Sequence, residues 1–191
     1  MEVRALTFDV FGTLLDWRPT IASALRESGL SPHPEELADD WRARALAATR
    51  EVNQKQRPWR TFDGLHEVTL GELLDERGLA LESEGRAALV RAWHQLDPWP
   101  GVPGGLKSLR RRRVVAALSN GNLALLVDLV RQADLRFDCL LSAELAGVYK
   151  PAAEVYRTGV RLLGLEPGEV MMVAAHPFDL GGARGAGLRT A

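Results

Sequence analysis

A single cysteine, Cys139, leaves no partner for an intrachain disulfide and no cluster of thiolates to hold zinc. Neither sign of charge is in excess. Lys and Arg number 24 against 25 Asp and Glu, a formal net charge of -1, so nothing draws the chain as a whole to nucleic acid or to an anionic membrane. Any anion site has to be built locally. Long apolar runs are missing too: none approaches membrane-spanning length, and Met1, Glu2 and Val3 lead into the first strand pattern without the cationic and apolar regions of an export signal. The expectation is a cytoplasmic protein that is neither secreted nor inserted in a membrane. Internal repeats and low-complexity segments are absent as well. With 46% hydrophobic and 26% charged residues, the 191 residues suffice for a core, in one compact domain or one carrying an insertion.

The stretch Phe8 to Trp17, FDVFGTLLDW, organises the rest. Residues Val3 to Phe8 read as a short apolar strand, and ligands of open α/β sheets bind beyond the carboxyl ends of such strands. Asp9 therefore stands where chemistry is usually done, with Gly12 permitting close backbone approach and Thr13 offering a hydroxyl to the carboxylate. An Asp after a strand is also a common turn former, so position alone leaves both readings open.

Downstream, Pro19, Ile21, Ala24 and Leu25 predict a helix ending near Gly29, and Leu37, Trp41, Ala45 and Ala48 form one apolar stripe of a longer helix, with Arg42 and Arg50 off its centre. RPWR marks a turn. His66, Leu70, Leu73 and Leu74, then Leu89, Ala92, Trp93 and Leu96, predict two more helices before DPWPGVPGG breaks the pattern. Residues 17–98 thus read as a helical cap inserted into a core formed by 1–16 and 99–191. Trp41, Trp59, Trp93 and Trp99 are expected mainly as the core of that helical block. Beyond it, the strands Val114 to Leu118, Cys139 to Leu141 and Val170 to Ala174 alternate with amphipathic helices, which predicts an α/β fold with a doubly wound parallel sheet. The run Arg110 to Arg113 lies at a helix end, where cations complement the dipole, and reads as solvated structure rather than a nucleic-acid patch.

Ser119 and Asn120 follow a strand as Asp9 does, so one sheet edge can carry both loops. Lys150 precedes Pro151 and a helix, a place from which an ammonium group can reach over the strand ends and keep a carboxylate ionised. Arg42 has the chemistry to hold an anion leaving from carbon, although a surface ion pair is its plainer reading. His176 and Asp179 follow the last strand.

In order along nearly the whole chain, FDVFGTLLDW, SNGN, VYKPAAEVY and AAHPFD resemble the motifs of the haloacid dehalogenase-like superfamily, and WRARALAATREV and RPWRTFDGLHEVTLGELL resemble its cap segments. The metal-dependent phosphatases of that superfamily usually carry a second Asp two residues after the first. Here that position is Phe11, so the resemblance is to the 2-haloacid dehalogenase (type II) branch, which uses no metal or other cofactor. It implies a HAD-like Rossmannoid core and hydrolysis of short L-2-haloalkanoic acids to 2-hydroxy acids through an aspartyl ester. Asp9 would be the nucleophile, oriented by Thr13. Arg42 and Asn120 would receive the halide, Ser119 and Lys150 would hold the substrate carboxylate, and Phe11 would stand at the halide side. Tyr156 would orient a carboxylate or pack, and Asp179 would position water.

The sequence departs from the best-known form of the last motif, having Ala175 and His176 where Ser and Asn are common, and His176 is either a water-positioning group or a structural histidine. Relatives continue past GLRTA, which leads us to expect unpaired backbone groups at the last sheet edge. The implied ligand is a small 2-haloacid, and a homodimer is compatible with the resemblance. Two other readings stay open: a Mg-dependent phosphatase with Asp9 as phosphoryl acceptor and Mg near Asp9 and Asp179, and a non-catalytic relative that binds small acids.

Overall fold

The computed structural model describes residues 2–191. In chain order, β1 (Ala5–Phe8) and β2 (Leu15–Asp16) are followed by four helices, α1 (Trp17–Glu27), α2 (Pro34–Asn53), α3 (Phe62–Arg77) and α4 (Ser83–Ala92). Then β3 (Asp97–Pro98) and α5 (Val102–Leu109) lead into β4 (Val114–Ser119), α6 (Leu123–Gln132), β5 (Cys139–Ser142), α7 (Ala153–Leu163), β6 (Val170–Val173), α8 (Pro177–Gly185) and β7 (Arg189–Thr190).

The main sheet is parallel in the order β5-β4-β1-β6-β7, which places β1 at its centre. Five consecutive buried residues in β4, from Val115 to Ser119, reflect a strand covered on both faces, as a parallel sheet between helices requires. Register then fixes the chemistry. Phe8 is paired with Ala117 on one side and Val173 on the other, so Asp9, the Ser119–Asn120 loop and the Ala174–His176 segment emerge at one edge. No helix is long and apolar enough to cross a membrane among the described residues.

The helices form for local reasons that the sequence displays. Pro34 opens α2, the Thr61 hydroxyl caps α3 by accepting from the Gly64 amide at 3.2 Å, and Gly78 ends α3 at φ 62°, a conformation costly for any side chain with a Cβ. The stripe Leu37, Trp41, Ala45 and Ala48 is buried as its spacing demands. Two tryptophans depart from the expectation of a shared core. Trp41 and Trp93 are fully buried, whereas Trp59 and Trp99 are 40% and 42% exposed because they lie in the segments joining elements.

The pairing of β2 with β3, Leu15 opposite Pro98 and Asp16 opposite Asp97, is too short to leave a periodic signal. It brings the two ends of the four-helix segment together. The strand β7 lies at the sheet edge on β6, with the Ala191 amide donating to the Met172 carbonyl at 3.0 Å. Of the arginine run, Arg110 pairs with Asp138 and Arg113 with Glu2 in exposed ion pairs.

Candidate active site

Asp9 leaves β1 almost fully buried, a position that by itself favours the protonated acid. Three groups reverse that preference. Lys150 Nζ donates to Asp9 Oδ1 at 2.8 Å, Thr13 Oγ1 donates to Asp9 Oδ2 at 2.8 Å, and His176 Nε2 lies 3.6 Å from the same Oδ2. Burial pushes the Asp9 carboxyl up, and the charge and hydrogen bond of Lys150 outweigh it, so the carboxylate is held below its ordinary range. Thr13 is itself fixed, its Oγ1 accepting from the Ala175 amide at 3.0 Å.

Lys150 is buried between two carboxylates. Its Nζ donates to Asp9 Oδ1, to Asp179 Oδ2 at 2.6 Å and to the Leu118 carbonyl at 2.9 Å, which uses all three N–H directions. Any further partner can meet it only through charge. Asp179 is fully buried, and its Oδ1 accepts from the Tyr156 hydroxyl at 2.6 Å. Burial, then the Asp179 charge, pushes the Tyr156 phenol far up, so it stays protonated and donates. Tyr156 thus reaches the site only through Asp179.

Across from this triad, α2 delivers Arg42 into an aromatic cage. The guanidinium carbon lies 5.5 Å from the Phe11 ring centroid, 5.7 Å from Trp93, 5.8 Å from Trp17 and 5.9 Å from Phe62. Ring faces attract the cation and exclude water. Burial lowers the Arg42 pKa to about 10, against the opposing charge of Asp9, and the group remains a cation at neutral pH. Among the described residues its buried Nη1 has no hydrogen-bond acceptor. Such an orphaned charged donor is costly unless an anion comes to meet it.

The remaining sequence candidates frame this space. Phe11 forms one cage wall and packs so close to the SNGN loop that a Cβ at Gly121 would lie 3.1 Å from its ring. Asn120 Oδ1 accepts from the Lys150 amide at 2.8 Å, which locks the two loops together, while Ser119 Oγ accepts from the Gly121 amide at 3.2 Å. His176 Nε2 lies 2.9 Å from the Phe11 carbonyl; a carbonyl only accepts, so this nitrogen carries the proton. Gly12 has φ 81° and a Cβ there would meet the His176 ring at 3.2 Å, two reasons for glycine at one position.

A cavity of about 130 Å³ lies beside Lys150, lined by Leu46, Thr49, Arg50, Pro151 and Phe178. The larger hollow of about 540 Å³ at α1 holds none of Asp9, Arg42, Asn120 or Lys150, and its Arg18 and Arg26 are already paired with Asp39 and Glu35. Magnesium does not fit the donor set at Asp9. The Lys150 ammonium already lies between the two carboxylates, the Phe11 side chain brings no oxygen and its carbonyl faces His176 Nε2, and among the described residues no group of three or more His, Cys, Asp or Glu could hold a metal. Sequence reading missed Trp17 and Phe62 as cage walls and treated Trp93 as core. A concentration of aromatic residues in the helical segment was the available signal, but the convergence on Arg42 is tertiary.

An ionised aspartate at the carboxyl edge of a parallel sheet, with a caged arginine in electrostatic reach, stands where open α/β sheets bind their ligands. The chain belongs to the haloacid dehalogenase-like hydrolases, whose family model matches residues 3–187. It is 31% identical to an (S)-2-haloacid dehalogenase of Pseudomonas sp. (strain YL), over 98% of this chain and 81% of that protein. A crystallised L-2-haloacid dehalogenase is similar at 44% identity and TM-score 0.92, over 98% of this chain and 82% of the other. The L-2-haloacid dehalogenase of Xanthobacter autotrophicus, solved with chloropropionic acid covalently bound, superposes at TM-score 0.91 with 28% identity, over 98% of this chain and 76% of the other.

Proposed function

We propose that this hydrolase removes halide from short L-2-haloalkanoic acids and releases the 2-hydroxy acid. The observation that carries the reading is the buried Arg42 guanidinium, caged by four rings and with its Nη1 lacking an acceptor among the described residues, within electrostatic reach of an ionised Asp9. In this reading residues 17–98 form a cap that supplies the halide side, and 1–16 with 99–191 form the core that supplies the nucleophile. A cytoplasmic location belongs to the same reading.

Asp9 attacks carbon 2 in line, forming the ester bond as the carbon–halogen bond breaks, and the halide leaves toward Arg42 and Asn120. Ser119 and the Lys150 charge steady the substrate carboxylate. Water then attacks the Asp9 carbonyl and the hydroxy acid departs with carbon 2 inverted. The Asp179 bonds to Lys150 and Tyr156 support its holding Lys150 in place, and the 3.6 Å from His176 Nε2 to Asp9 Oδ2 supports His176 as a group adjoining the attacked carboxyl.

With L-2-chloropropionate and excess EDTA, the protein is expected to release chloride at an undiminished rate and to leave the D enantiomer intact. Magnesium-dependent cleavage of a phosphate ester without chloride release would favour a phosphatase. Saturable binding of the acid without turnover would favour a non-catalytic relative.

A further inference from the structure

Beside the residues given roles above, four polar side chains meet where the helical segment touches the core. Asn122, the residue that caps α6, accepts from the Asp63 amide through Oδ1 at 3.1 Å and donates from Nδ2 to Asp63 Oδ2 at 2.9 Å. His94, just beyond α4, lies 3.2 Å from the same Asp63 oxygen through Nε2 and 2.7 Å from Asp128 Oδ2 of α6 through Nδ1. Carboxylates only accept, so both ring nitrogens are donors and His94 is an imidazolium. Asp63 Oδ1 is buried without a partner, so the Asp63 side chain bonds through Oδ2 alone.

The placement gives these groups a purpose. Asp63 directly follows Phe62, His94 directly follows Trp93, and Asn122 stands two residues after Asn120. Two walls of the Arg42 cage are thereby fastened to the loop that faces it. Phe62 and Trp93 also share the buried His66 ring, 4.4 Å and 4.2 Å away between centroids, so a shift at one wall is felt at the other.

We propose that Asp63, His94, Asn122 and Asp128 form a clasp of positioning residues that holds the aromatic cage of Arg42 in register with Asn120 and so sets how tightly the site receives halide. This rests on the reading of Arg42 and Asn120 as the halide acceptors. The charged and titratable groups facing His94 are Asp63 of α3, Asp128 of α6 and, further in, His66 of α3. The Asp63 hydrogen bond, then that of Asp128, raises the His94 pKa above its ordinary 6.5 in spite of burial. The clasp is complete while His94 is protonated between ionised carboxylates, and it loosens as pH rises through the raised His94 pKa.

Inhibition by bromide and by D-lactate, the two products from L-2-bromopropionate, tests this because inhibition constants do not depend on the active fraction. In His94→Gln the bromide constant is expected to rise about tenfold and kcat to fall about tenfold, with the D-lactate constant and KM within about twofold. The rise in the bromide constant of the wild type with pH should flatten in the variant. Asp128→Asn, on the exposed side of the clasp, should shift bromide in the same direction by a smaller factor and serves if His94→Gln does not fold. Equal constants in variant and wild type, or parallel weakening of bromide and D-lactate, would overturn the proposal. An inert wild type would instead overturn the functional reading itself, a failure visible before any variant is made.

Discussion

Asp9→Asn is expected to abolish halide release, by about 10⁴-fold or more, while leaving the protein folded. The amide has the shape of the carboxylate, but its single oxygen can accept from only one of Lys150 and Thr13, which donate to different oxygens of Asp9, and it is not a nucleophile. It also removes one of the two charges facing Lys150. Because Lys150 keeps Asp179 and the Leu118 carbonyl, the stability loss should be only about 1–3 kcal/mol, readable as a lowered thermal midpoint. Chloride assay and thermal denaturation on the same preparation check both halves. A variant that retains a tenth of wild-type turnover would show that another group attacks carbon.

Lys150→Met should be nearly as damaging and for a different reason. Methionine fills similar space, yet it leaves Asp9 and Asp179 buried without the cation that lies 2.8 and 2.6 Å from them. Removing one partner of a buried charge cluster typically costs about 3–5 kcal/mol. Burial would then govern Asp9 and raise its pKa, so at neutral pH part of the nucleophile is protonated. Turnover should fall about 10³-fold and recover partially as pH rises, a limb the wild type lacks. In the wild type the sign is opposite. Because Asp9 is held below its ordinary 3.8, its contribution to stability is complete above that pH and is lost as pH falls through the lower folded value. A Met variant with a wild-type pH profile would contradict the role given to Lys150.

The core was legible because its signals are local and repeated. Strand and helix patterns alternate from Val114 onward, and Asp9, Ser119 and His176 each follow an apolar strand, so a parallel sheet must gather them. Lys150 meets Asp9 across 141 residues, and the Lys-Pro pair after a strand was enough to place it. The cage around Arg42 was not legible. Its periodicity put Arg42 beside an apolar stripe, but periodicity is blind to what the facing elements bring, here Phe62 and Trp93. The expectation that Trp59 and Trp99 belong to the core failed for the converse reason: they sit in connecting segments, where composition carries no facing rule. Tyr156 is expected from the sequence to orient a carboxylate or to pack, and its hydroxyl donates to Asp179, a partner no local pattern names. The clasp of His94 with Asp63 and Asp128 spans three elements and leaves no mark in any one of them.

The central claim is a covalent ester on Asp9, and a single turnover in ¹⁸O-labelled water tests it most directly. With enzyme in excess over L-2-chloropropionate, water attacks the Asp9 carbonyl, so ¹⁸O is expected in the Asp9 side chain, located by peptide mass spectrometry, and the first product should carry unlabelled oxygen. Label found in the hydroxy acid and absent from Asp9 would contradict the account, because water would then have attacked carbon 2 itself.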